Sequence, residues 1–122
     1  MSGQASRLLG RWGEDQAAAF LRDKGFTITA ANWSCRFGEL DLVAEDGTYL
    51  CFVEVKLRKS DTYGTAAACV DQRKQRKLRT TAELYLAEHP TGLQPRFDVV
   101  EIYAPQGIQT KSPELRHWKN AF

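Results

Sequence analysis

Residues 39–57 read ELDLVAEDGTYLCFVEVKL, two runs rich in apolar and β-branched residues on either side of Asp46-Gly47. Asp-Gly between such runs is the strongest short hairpin signal, because both residues tolerate the positive φ of a type I′ turn. Two antiparallel strands are therefore expected, over 39–45 and 48–57, joined by a two-residue loop. In that register Glu45 faces Thr48, Asp41 faces Phe52 and Glu39 faces Glu54. Directly paired residues project from the same sheet face, and so do residues two apart on one strand. Glu39, Asp41, Glu54 and Lys56 then share a face, whereas a loop of odd length would separate Asp41 from Glu54. The opposite face collects Leu40, Leu42, Cys51, Val53, Val55 and Leu57, an apolar surface that needs cover on a sheet.

The flanking sequence supplies that cover. Over residues 6–24, Leu9, Gly13, Ala17, Phe20 and Leu21 recur at three- and four-residue steps, the period of an amphipathic helix. Gly25 ends it as a left-handed C-cap, with Lys24 against the negative end of the helix dipole. Residues 26–33 (FTITAANW) are rich in β-formers and read as a strand. A polar stretch over 58–64 leads to a helical pattern over 65–88, with a break at Asp71, that His89-Pro90-Thr91-Gly92 stops. Residues 96–103 (RFDVVEIY) alternate as a strand, and 107–118 add a weaker edge strand. The order is α-β-β-β-α-β, an α/β fold with a mixed central sheet flanked by helices.

At 122 residues the chain has room for one domain with a real core, expected to span residues 1–122, but not for two of ordinary size. Its 43% hydrophobic and 26% charged content lies far from the signature of disorder. The net charge of +2 is too small to identify a nucleic-acid binder, so the distribution of charge has to decide. Cys35, Cys51 and Cys69 are widely spaced, lack a C-x-x-C pair, and read as reduced core residues rather than a disulfide framework or zinc site. Neither a leader segment nor a membrane-spanning apolar run is visible, so a cytoplasmic protein with no membrane partner is expected.

The shared hairpin face carries the chemistry. Glu39, Asp41 and Glu54 on a partly buried β-surface repel one another and lose hydration unless a cation compensates them. All-oxygen ligands of this kind suit Mg²⁺ or Mn²⁺. Lys56 points the same way, where its ammonium can orient an attacking water or stabilise charge developing on a phosphate. Metal-assisted phosphodiester hydrolysis is the chemical expectation. The competing reading is a solvated strand face with a cross-strand ion pair. In the second helix Arg73, Lys74, Arg76, Lys77 and Arg79 form a basic strip on one side, preceded by Arg58 and Lys59. Such a strip suits a phosphate backbone, and suits equally an ordinary solvated helix face. Trp12, Trp33 and Trp118 are assigned to packing. His89 and His117, lone histidines far from the cluster in sequence, are left out of the site.

Gly13-Glu14, then GELDLV at 38–43, FVEVKLR at 52–58, RFDVV at 96–100 and the ending Asn120-Ala121-Phe122 resemble the YraN-like family of small bacterial proteins over nearly the whole chain. That family is similar to archaeal-type Holliday junction resolvases and to the restriction-endonuclease-like superfamily with its PD-(D/E)XK motif. The resemblance implies a restriction-endonuclease-like core in which Asp41 and Glu54 bind the metal and Lys56 assists hydrolysis. It also implies that Glu14 reaches from the first helix toward the same cluster. Leu40 stands where the superfamily motif has proline. The implied activity is a nuclease acting on DNA, with branched or damaged DNA in repair or recombination as substrate and a homodimer by analogy with resolvases. The alternative is a non-catalytic nucleic-acid-binding or protein-interaction module that keeps the nuclease fold.

Overall fold

The computed structural model describes residues 2–59 and 70–122. In chain order the elements are α1 (Ser2–Asp23), β1 (Thr27–Cys35), β2 (Gly38–Glu45), β3 (Tyr49–Arg58), α2 (Gln72–Glu88), β4 (Gln94–Tyr103) and β5 (Glu114–Trp118). A short 3₁₀ turn, Gly107–Gln109, precedes β5. The order matches the expected α-β-β-β-α-β core, with β5 as the added edge strand. The five strands lie in the order β1-β2-β3-β4-β5. β3 and β4 are parallel, joined by the crossover through α2, and the other neighbours are antiparallel. This is the mixed sheet, flanked by two helices, of a restriction-endonuclease-like core.

Local chemistry sets the helix ends. Phe26 N–H bonds the Leu21 carbonyl and Gly25 N–H bonds that of Arg22, with Gly25 at φ +97°. That double bond is a Schellman cap, and Leu21 and Phe26 bury together beneath it. The break expected at Asp71 is a helix start: its carboxylate accepts from Lys74 N–H at 2.8 Å as the N-cap of α2. Residues 65–69 of the expected helix, including Cys69, and residues 60–64 of the polar stretch lie outside the described residues. Of the cysteines described, Cys35 and Cys51 are free thiols.

Each sheet face has its own core. α1 covers Leu42, Ala44, Cys51, Val53, Val100 and Ile102, and α2 covers Leu40, Val43, Leu50, Phe52 and Val99. One expectation is corrected here. Leu40 packs on the α2 side, not beside Leu42, because β2 follows β1 to its start at Gly38, while its pairing with β3 ends at Leu42↔Val53. The two central strands part at that point.

The hairpin register is also corrected. The closing pair is Glu45↔Leu50, and Val43, not Asp41, faces Phe52. Asp46 explains the difference: its carboxylate accepts from both Thr48 N–H (3.0 Å) and Tyr49 N–H (2.8 Å), building a wider turn in which Gly47 alone takes positive φ. The loop grows from two residues to four, an even change, so the residues paired from Leu42 to Glu45 and from Leu50 to Val53 keep their expected faces, and Leu40, beyond that pairing, does not. Continued by one step, the register sets Asp41 opposite Glu54.

Candidate active site

The parting of β2 and β3 creates the site. Beyond Val53 the next inward backbone donor, Val55 N–H, bonds the Asp41 carboxylate at 2.9 Å. Asp41 thus wedges between the strands, with Glu54 opposite it. Glu54 is 7% exposed, and its carboxyl lies within hydrogen-bonding reach of Asp41. Burial, followed by repulsion from Glu54, pushes the Asp41 carboxyl up to about 8, against the lowering effect of Val55 N–H. At neutral pH, without a cation, the Asp41 carboxyl therefore holds its proton.

Two further carboxylates converge on Asp41. Glu14 comes from α1 and Glu39 from the start of β2, and one oxygen from each of Glu14, Glu39 and Asp41 lies within 4.8 Å of the others. Glu14 gets there because Gly13 lets α1 settle on β3: a Cβ at Gly13 would stand 3.2 Å from both Leu57 methyls. Burial raises the Glu14 carboxyl above its ordinary value, while a hydrogen bond from Asn32 opposes the rise and Glu39 adds to it. Asn32 itself sits at φ +53° within β1, a conformation asparagine tolerates better than most residues.

The far wall belongs to α2. Gly38 allows this approach, since a Cβ there would lie 2.9 Å from the Thr81 hydroxyl. A cavity of about 210 Å³ opens between β2, β3 and α2, with Glu39, Asp41, Glu54, Lys74 and Lys77 in its lining. Lys74 forms an ion pair with Glu54. Burial works against the Lys74 charge, but the hydrogen bond and attraction of Glu54 outweigh it and raise its pKa.

The structure therefore brings Glu14, Glu39, Asp41 and Glu54 together, with Lys56 half-buried two residues beyond Glu54 on the same face of β3. The basic residues divide. Lys74 belongs to the carboxylate cluster. Lys59, Arg73, Arg76 and Lys77 are exposed. Arg58 leaves the expected phosphate-binding strip: its side chain is 10% exposed and its guanidinium pairs with buried Glu101 at 2.5 Å. Arg79 leaves it too, stacking over Phe97 and Phe122 at 4.9 and 5.7 Å. The side-by-side strip read from sequence is split by the helical turn.

Sequence reasoning missed Lys74 as a partner of Glu54 and Asn32 as a partner of Glu14. The signal for Lys74 was present: with α2 starting at Asp71, Lys74 falls three and four residues before Lys77 and Leu78, on the edge of the buried stripe. Asn32 left no such signal, because its contact depends on the left-handed kink in β1.

The sequence profile of the uncharacterised protein family UPF0102 matches residues 13–102. The chain belongs to that family. The match runs from Gly13 to Ile102, one residue short of the end of β4, and includes all four carboxylates of the site. A UPF0102 protein of Pelotomaculum thermopropionicum is 44% identical over 119 residues, covering 97% of this chain and 98% of the relative. One from Nocardia farcinica is 45% identical over 115 residues, covering 93% and 88%. One from Symbiobacterium thermophilum is 49% identical over 98 residues, covering 80% and 83%. The UPF0102 chain has no described helix long and apolar enough to cross a membrane.

Proposed function

We propose that this UPF0102 chain is a divalent-metal-dependent nuclease that hydrolyses phosphodiester bonds in DNA, with branched or damaged DNA as its substrate. The observation that carries the reading is the convergence of Asp41, Glu54, Glu14 and Glu39 where β2 and β3 part. Of the four, Glu54 is buried, Asp41 and Glu14 are half-buried and Glu39 is exposed; like charges gathered on such a partly buried surface are costly, and the cluster persists when something compensates the repulsion. The donors fit Mg²⁺ or Mn²⁺: all are carboxylate oxygens, two oxygens across a Mg²⁺ ion stand about 4 Å apart, and one oxygen each of Glu14, Glu39 and Asp41 lies within 4.8 Å of the others. Asp41 and Glu54 would hold the ion, with Glu39 and Glu14 completing the oxygen set. Bound there, the cation supplies Lewis acidity at the phosphoryl oxygen and lowers the pKa of a water.

The remaining groups position the substrate. Lys56, on the face of Glu54, stabilises negative charge developing on the phosphate. Lys74 neutralises Glu54 and stands ready to turn toward an incoming phosphate. The first turn of α2 carries Arg73 and Lys74 and no acid, so its cations sit at the positive end of the dipole. Asp71 caps that end and Glu54 pairs with Lys74, so the free protein already offsets part of this charge, and an incoming phosphate would add to that compensation. Symmetric cutting of a junction would take two copies of the chain.

The Lys74–Glu54 ion pair also supports a second reading, in which lysine replaces the metal and the fold only binds nucleic acid. Purified protein incubated with branched, single-stranded and duplex DNA and with RNA, with and without Mg²⁺ or Mn²⁺, separates the two. Metal-dependent cleavage lost in Asp41→Ala and Glu54→Ala is expected, with a drop of about a hundredfold or more for each. Cleavage surviving both substitutions sinks the assignment. Salt-sensitive binding without cleavage favours the binding module.

A further inference from the structure

β1 and β2 pair down to Cys35↔Gly38, so Arg36 and Phe37 form the two-residue turn between them. Phe37 is large, apolar and 41% exposed. The Arg36 guanidinium lies over its ring at 4.8 Å. The turn stands beside α2, and together they enclose an open groove of about 480 Å³ lined by Arg36, Phe37, Arg73, Arg76, Lys77 and Thr80. Four of those six side chains are cations and none is an acid. Lys77 lines both this groove and the carboxylate cavity, so the two adjoin at that side chain.

An exposed aromatic ring in a groove otherwise lined by four cations and Thr80 matches a ligand with both phosphates and flat faces. Cations track the backbone of a nucleic acid, and the ring stacks on a base without regard to its identity. In the interior of a duplex each base is already stacked on both sides, so away from the duplex ends only an unpaired base can use the ring. We propose that Phe37 and Arg36 form a stacking platform for an unpaired nucleotide next to the scissile phosphate, which restricts the substrate to DNA with a single-stranded segment at the site. Arg73, Arg76 and Lys77 hold the backbone of that segment as it passes toward Asp41 and Glu54. The platform rests on the nuclease reading for its substrate, but it can be tested without cleavage.

The test is fluorescence-anisotropy binding of labelled oligothymidylate and of a blunt duplex of equal length, in EDTA, with wild type, Phe37→Ala, Phe37→Leu and Phe37→Tyr. Leu keeps apolar bulk without a π-face, and Tyr keeps the ring. Single-strand affinity is expected to fall about tenfold in the Ala and Leu variants and to hold in Tyr, with duplex affinity unchanged in all three. Equal losses on both ligands, a Leu variant as good as Tyr, or no loss in any variant overturns the platform. So does a wild type that binds neither ligand. Phe37-dependent binding in a protein that never cleaves would defeat the nuclease reading alone. Metal-dependent cleavage with single-strand affinity indifferent to Phe37 would defeat the platform alone.

Discussion

Asp41 holds the strained position in this molecule. Its carboxylate replaces a backbone carbonyl as the partner of Val55 N–H and is pressed against Glu54. Because its folded pKa lies above the ordinary value, its contribution to stability is complete at low pH and is lost as pH rises through the raised value. Metal-free protein should therefore lose stability from this group as the buffer is taken from about pH 4 toward pH 8. Asp41→Asn keeps the shape and removes the charge. The metal-free Asn variant is expected to be more stable than wild type by about 1–2 kcal/mol at pH 8, and the advantage should vanish at pH 4. Urea melts at the two pH values measure it; a variant less stable at both would mean that Asp41 is a structural residue. The sequence showed that Asp41 and Glu54 share a face, since that depends only on strand parity and an even turn. It did not show the wedge between β2 and β3, which depends on β2 staying paired to β1 after leaving β3.

Among the elements, β4 and β5 show what a fully compensated buried acid looks like. Asp98 on β4 is fully buried. Arg96 donates to both its oxygens at 2.9 Å, His117 on β5 lies at 2.7 Å, and Asn120 N–H donates at 3.0 Å. Burial alone would raise its pKa; the hydrogen bonds from His117 and Arg96 prevail and hold it at about 2. Its stabilisation is complete above the ordinary carboxylate range and is lost as pH falls toward that value. Asp98→Ala would strand Arg96 and His117 and is expected to cost about 3–5 kcal/mol, read from denaturant melts at neutral pH. A cost below about 1 kcal/mol would show that the network adds nothing to the joining of β5 and the C-terminal residues. The RFDVV run announced a strand, but not that Asp98 gathers partners from β5 and beyond. His117, a lone histidine in sequence, finds its role only when β5 pairs with β4 and sets it opposite Val100.

At the scale of the whole molecule, the two acids divide the sheet between them. Asp98 is neutralised by protein partners and fastens one side of the sheet, whereas among the described residues Asp41 and Glu54 have one ion pair, from Lys74, beside the converging Glu14 and Glu39. The helix period, the Gly25 cap, the hairpin and the mixed α/β order were all legible because each is written in local spacing. The groove between the β1–β2 turn and α2 was not, because nothing local to Arg36-Phe37 says that α2 will pack beside it. Gly38 decides that contact, by admitting Thr81 where a side chain would not fit.

The central claim is that the Asp41–Glu54 cluster holds a divalent cation, and the most direct measurement is Mn²⁺ binding to wild type and to Asp41→Asn at pH 8, by titration calorimetry with electron paramagnetic resonance of the free ion. Wild type is expected to bind Mn²⁺ with release of protons, as the raised Asp41 carboxyl ionises, and to gain thermal stability in proportion to saturation, about 2.7 kcal/mol when the ion is a hundredfold above its dissociation constant. Asp41→Asn should lose both the binding and the proton release. Equal Mn²⁺ binding by the two proteins, or none by wild type, would contradict the account.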